Sequence, residues 1–185
     1  MGDALLVMDV QNGIVERLGA AGAPLLHRVA AALEAARRHS VTVIFVRVAF
    51  RDGAPEISPR NRAFAALSTT GTMSESSPAT QVHAAVAPRP GEIVVVKRRV
   101  SAFAGSDLDV VLRALSIDGM ILTGIATSGV VLSTTRQAAD LDYRITILRD
   151  ACADADEEVH RVLMEKVLPR QATVTTIDEW TSSLV

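Results

Sequence analysis

A chain of 185 residues fits one domain with one core, and folding at that size buries roughly 70% of the surface exposed by the unfolded chain. Hydrophobic residues make up 49% but aromatic ones only 3%, so the core is expected from Ala, Val, Leu and Ile, and an aromatic platform for single-stranded nucleic acid is argued against. The formal net charge is −2 and opposite charges are interspersed, which leaves no footprint for a phosphate backbone or other polyanion.

In chain order, short β-branched apolar runs occupy residues 4–8, 41–48, 93–96, 120–123, 143–148 and 172–176. Each of the first five is followed by a longer segment with room for a helix, the alternation expected of βαβ units around a parallel sheet. Several runs are apolar throughout, as strands covered on both faces should be. Between them, Pro24 suits a first helical position, and Leu25, Val29, Leu33 and Ala36 follow on one face before Arg37 and Arg38. Ser106 with Asp109, and Asp154 with Glu157, resemble capping boxes ahead of apolar helical faces. Residues 51–59 and 68–77 make the segment after the second run long and irregular. The readings open for 68–77 are a loop, a lid or a subunit contact.

The single cysteine, Cys152, excludes an internal disulfide and fits a reducing, cytoplasmic compartment. No targeting segment and no bilayer-length apolar stretch is found. The four histidines, His27, His39, His83 and His160, are scattered without metal-ligand spacing and read as surface or satisfied residues. Neither a metal nor another cofactor is expected.

In open parallel sheets ligands bind beyond the carboxyl ends of the strands. There Asp9 ends the first run, Lys97 the third, and Gly124 the fourth, opening into a helix. An Asp or Lys in such a place is often only a cap or a solvated end. Together they supply opposite charges able to offset each other's desolvation.

Three pieces carry a resemblance: Leu5-Leu6-Val7-Met8-Asp9-Val10-Gln11-Asn12-Gly13, Lys97-Arg98-Arg99-Val100-Ser101-Ala102-Phe103, and Thr123-Gly124-Ile125-Ala126-Thr127-Ser128-Gly129-Val130-Val131. In order and spacing the chain resembles the isochorismatase-like (cysteine) hydrolases over essentially its whole length. The resemblance implies one domain, 1–185, with a three-layer α/β/α, Rossmann-like fold and a central six-stranded, mostly parallel sheet. It also implies an Asp, Lys and Cys triad, of which Asp9 and Lys97 match the first two. The cysteine position falls on Val130, and a valine offers no nucleophile. Cys152 lies beyond a different strand and reads as a small buried hydrophobe.

The resemblance also implies an available chemistry without a nucleophile, that of the isochorismate-hydrolysing branch, with Asp9 as acid and Lys97 as electrostatic brace and anion contact. The resemblance implies a cis Ile125–Ala126 peptide that aims the amides of Ala126 and Val130 at an oxyanion. Gln11, Arg47, Arg51, Arg60 and Phe103 are the candidate substrate contacts, the arginines because they can grip a carboxylate bidentately. One tension is visible: a neighbouring ammonium lowers a carboxyl pKa, whereas a general acid needs it raised. The expected partner is a small, anionic substrate, with no nucleic acid and no membrane, in a homodimer or larger homo-oligomer. The alternative is a member of the same fold that only binds a small molecule, and a third reading is an oligomerisation module.

Overall fold

Strand β1 (Gly2–Met8) is apolar at nearly every position yet keeps the two-residue period of a strand. Ala4, Leu6 and Met8 enter one hydrophobic cluster, and Leu5 and Val7 enter the other. The computed structural model, which describes residues 2–66 and 72–184, extends this pattern into a sheet buried on both faces. Strands β2 (Thr42–Val48), β3 (Ile93–Lys97), β4 (Ile117–Ile125), β5 (Arg144–Ala153) and β6 (Thr173–Thr175) complete it. All five pairings are parallel, in the order β3-β2-β1-β4-β5-β6. Each expected run is a strand, and β4 and β5 are longer than their apolar runs. A register shift carries their pairing onward to Gly124 with Cys152 and Ile125 with Ala153.

The remaining elements are α1 (Asn12–Arg17), α2 (Gly22–Arg38), α3 (Arg62–Ala65), α4 (Leu108–Ala114), α5 (Leu132–Asp140), α6 (Glu157–Val162) and α7 (Ile177–Ser182). Val15, Leu25, Val29, Leu33 and Trp180 pack α1, α2 and α7 on one sheet face. Leu108, Leu112, Ala138 and Met164 pack α4, α5 and the turn after α6 on the other. This is the expected three-layer α/β/α arrangement. Its strand order reverses between β1 and β4, so the crevice of a Rossmann-like sheet opens where these two strands end.

Local details depart from the sequence reading. Helix α2 begins at Gly22, which puts Pro24 third rather than first, still within the turn whose N–H groups lack helical partners. Ser106 is not the N-cap of α4; Asp107 is, and Asp109 pairs with Arg113 at 2.9 Å. Helix α6 is capped by Asp156, whose Oδ1 accepts from the amides of Glu158 and Val159. Asp154 instead accepts from the Ser128 amide at 2.7 Å. A capping box does form at α7, between Thr176 and Glu179. Of the stretch 68–77, positions 68–71 lie outside the described residues, while Ser74 bridges to Phe50. Among the described residues no helix is long and apolar enough to cross a membrane.

Candidate active site

Asp9 follows β1 directly and adopts φ 57°, a left-handed conformation that Asp tolerates better than most residues. Its amide donates to Val46 O at 2.8 Å, which anchors the turn to β2. Lys97 closes β3, in register with Val48 of β2 and therefore two strand spacings, roughly 10 Å, from β1. Only a long side chain bridges that gap. Lys97 Nζ crosses beneath the end of β2 to meet Asp9 Oδ2 at 2.8 Å, and both residues are buried, at 1% and 5% exposure.

The ammonium is saturated. Besides Asp9 it donates to Arg99 O at 3.1 Å and Val100 O at 2.7 Å, which accounts for its three protons. The loop offering those carbonyls is fastened to α5: the Ala102 amide donates to Thr134 Oγ1 at 3.0 Å, and Ser101 Oγ donates to Gln137 Oε1 at 2.7 Å. No donor among the described residues reaches Asp9 Oδ1, although it is buried. Burial pushes the Asp9 carboxyl above its ordinary value of 3.8, and the nearby ammonium of Lys97 offsets only part of that rise.

Beside this pair, β4 crosses close against β1. Gly124 has φ 136°, and a Cβ there would lie 2.0 Å from Met8 O, so only glycine fits. The Ile125–Ala126 peptide is cis, as the resemblance implied. A π-helical turn, Thr127–Val131, then leads into α5. Thr127 Oγ1 lies 2.8 Å from His160 Nδ1, and burial depresses the pKa of that half-buried imidazole against the pull of Asp154. Asp154 and His160 thus hold the turn from the α6 side.

These parts enclose a cavity of about 400 Å³, within the range of small-molecule sites. Asp9, Lys97, Ala126 and Val130 all line it, so the structure brings together the four residues expected at the reacting centre. The five expected substrate contacts do not line it. Gln11 is consumed structurally: Nε2 donates to Val48 O and Thr80 O, and Oε1 accepts from the Val48 amide. Arg47 donates to Glu75 O and Thr80 O, and Arg51 pairs with Glu56. Arg60 is exposed outside the cavity, and Phe103 is buried in the core 5.9 Å from the Tyr143 ring. Cys152 is also buried in the core, 3.9 Å from Leu122 O, with its thiol pushed up to about 12.

Other residues fill the positions left empty. Ile14, Arg17 and Leu18, spaced i, i+3 and i+4 from α1, present one face to the cavity. Ala63 and Phe64 come from α3, whose N-cap Asn61 accepts from both of their amides, and Phe64 packs edge-on against Phe50 at 5.4 Å. The i, i+3, i+4 spacing after Asp9 was the available signal for the first group. Nothing in the irregular segment pointed to the second.

The isochorismatase domain model matches residues 3–179. The chain belongs to the isochorismatase family. Among curated relatives, the isochorismatase family protein YwoC of Bacillus subtilis (strain 168) is 32% identical over 177 residues, covering 96% of this chain and 91% of that protein. A ureidoacrylate amidohydrolase, RutB of Stutzerimonas stutzeri (strain A1501), is 34% identical over 84% of this chain and 71% of its own length. Among solved structures, a cysteine hydrolase from Pseudomonas syringae pv. phaseolicola 1448A superposes with a TM-score of 0.91 at 25% identity, covering 98% of this chain and 92% of that one. The family thus provides the same α/β frame for the Asp9–Lys97 cavity.

Proposed function

We propose that this isochorismatase-family chain is a hydrolase for a small anionic metabolite, working without a covalent cysteine intermediate. The observation that carries the reading is the buried Asp9–Lys97 pair lining a cavity in which Val130 occupies the position that the family resemblance assigns to cysteine. Asp9 in its neutral form donates its proton to the leaving atom of the substrate. The bond between that atom and the electrophilic carbon breaks, water oxygen forms the new bond to the carbon, and the proton shed by the water returns to the Asp9 carboxylate, which Lys97 stabilises meanwhile at 2.8 Å. The amides of Ala126 and Val130 are the candidate donors to negative charge developing on the substrate. Relatives named for hydrolysis of ureidoacrylate support the substrate class.

A binding-only member is the second reading, favoured by the mainly apolar lining and by a lysine with no proton left for a ligand. Mass-spectrometric screening of isochorismate, carbamoylated amines and nicotinamide separates the two. The proposal expects turnover of at least one compound by the native protein, reduced by about 10²–10⁴ in Asp9→Asn. Saturable binding with no turnover by either protein would establish the binding member, and undiminished turnover in Asp9→Asn would remove Asp9 from the mechanism.

A further inference from the structure

The cavity contains three ionisable lining residues, and two of them satisfy each other. Asp9 and Lys97 meet at 2.8 Å, and every Lys97 proton is already donated to protein oxygen. The third is Arg17, in the last turn of α1. Its guanidinium is exposed and makes no hydrogen bond or ion pair among the described residues. Of the other arginines around the cavity, Arg47 is engaged with Glu75 and Thr80, Arg51 with Glu56, Arg98 with Glu75 and the Ala49 carbonyl, and Arg99 with the Glu56 carbonyl, while the exposed Arg60 and Arg62 do not line it. Among the described residues Arg17 is therefore the cavity-lining cation with no protein partner, and it stands at the solvent side. The cavity walls are otherwise apolar, from Ile14, Leu18, Val48, Phe64, Val100 and Ile125.

From this arrangement we infer that Arg17 is the carboxylate anchor of the site, and that the ligand is an apolar monocarboxylate bound with its anionic end toward solvent and its reacting end toward Asp9. This rests on the cavity being the substrate site and adds the charge, polarity and direction of the molecule it takes. A single carboxylate matches one unpaired guanidinium, which can grip both oxygens with its planar fork. A second carboxylate placed deeper would meet apolar walls and a saturated ammonium, and its desolvation would go uncompensated. The spacing that presents Arg17 also presents Ile14 and Leu18, so one helical face supplies both the charge and the apolar wall beneath it.

The test uses an inert matched pair, 3-phenylpropanoate and 3-phenylpropanamide, so that affinity is read without turnover. Isothermal titration of the native protein should show the acid binding about tenfold more tightly than the amide. In Arg17→Met that ratio should fall to about one, Arg17→Lys should restore part of it, and thermal stability should stay unchanged. Phe64→Ala should weaken acid and amide alike. Equal affinities in the native protein, failure of the acid to bind, or a preference that survives in Arg17→Met would overturn the inference. The same ratio measured in Asp9→Asn keeps the two claims apart: a preserved preference with no catalysis by the native protein removes the hydrolytic reading and leaves the anchor standing.

Discussion

At the scale of single residues, burial raises the pKa of two groups, Asp9 in the cavity wall and Cys152 in the core. Asp9 is raised because desolvation outweighs Lys97, and a general acid works only while protonated. On the proposed acid role, kcat/KM should fall as pH increases through the raised Asp9 titration, and this limb should be absent from any residual activity of Asp9→Asn. A profile that instead rises across that range would assign Asp9 to base catalysis. Cys152 is raised to about 12, chiefly by burial, and a thiol is a nucleophile only as thiolate. Iodoacetamide at pH 8 should label native Cys152 far more slowly than the same thiol in urea, with activity intact; rapid native labelling with loss of turnover would contradict its placement in the core.

At the scale of elements, the positions of Asp9 and Lys97 come from strand order. Their residue types and strand-end locations were readable because each terminates an apolar run. That Lys97 must reach across β2 was not, since pairing order is decided by packing between distant segments. Capping signals were misplaced by position: Ser106 accepts from the Leu108 amide one residue ahead of the α4 N-cap Asp107, whose side chain makes no capping bond, and at α6 Asp156 takes the cap that Asp154 seemed to offer. The arginines after β2 looked like substrate contacts because charge is visible in a sequence and its partner is not. Glu56 and Glu75 claim much of that charge, which pins the segment carrying α3 beside the cavity. The Gly124 contact makes a sharp prediction about the β1–β4 crossing. Gly124→Ala should destabilise the fold by roughly 3–5 kcal/mol in urea unfolding, through both overpacking and a backbone angle reserved for glycine. A change within experimental error would show that Met8 and β4 can separate without cost.

For the whole molecule, one Rossmann-like sheet supplies both the stability and the candidate site, because its switch point is also where the buried ion pair lies. Removing one partner of such a pair strands the other, so Lys97→Met should cost about 3–5 kcal/mol near pH 7. The sign with pH follows from Asp9. A carboxyl raised above 3.8 in the fold favours folding when neutral, so its contribution is fully present below that value and lost as pH rises through the folded pKa. The Lys97→Met defect should therefore shrink in acid and grow toward neutrality, as followed by urea midpoints; a defect independent of pH would deny the coupling. The central claim is hydrolysis by Asp9 and Lys97 with no covalent intermediate, and intact-protein mass spectrometry of enzyme acid-quenched during turnover of its best substrate tests it most directly. The expected result is a single species at the unmodified mass; a substrate-derived adduct that forms and decays with turnover would contradict the account.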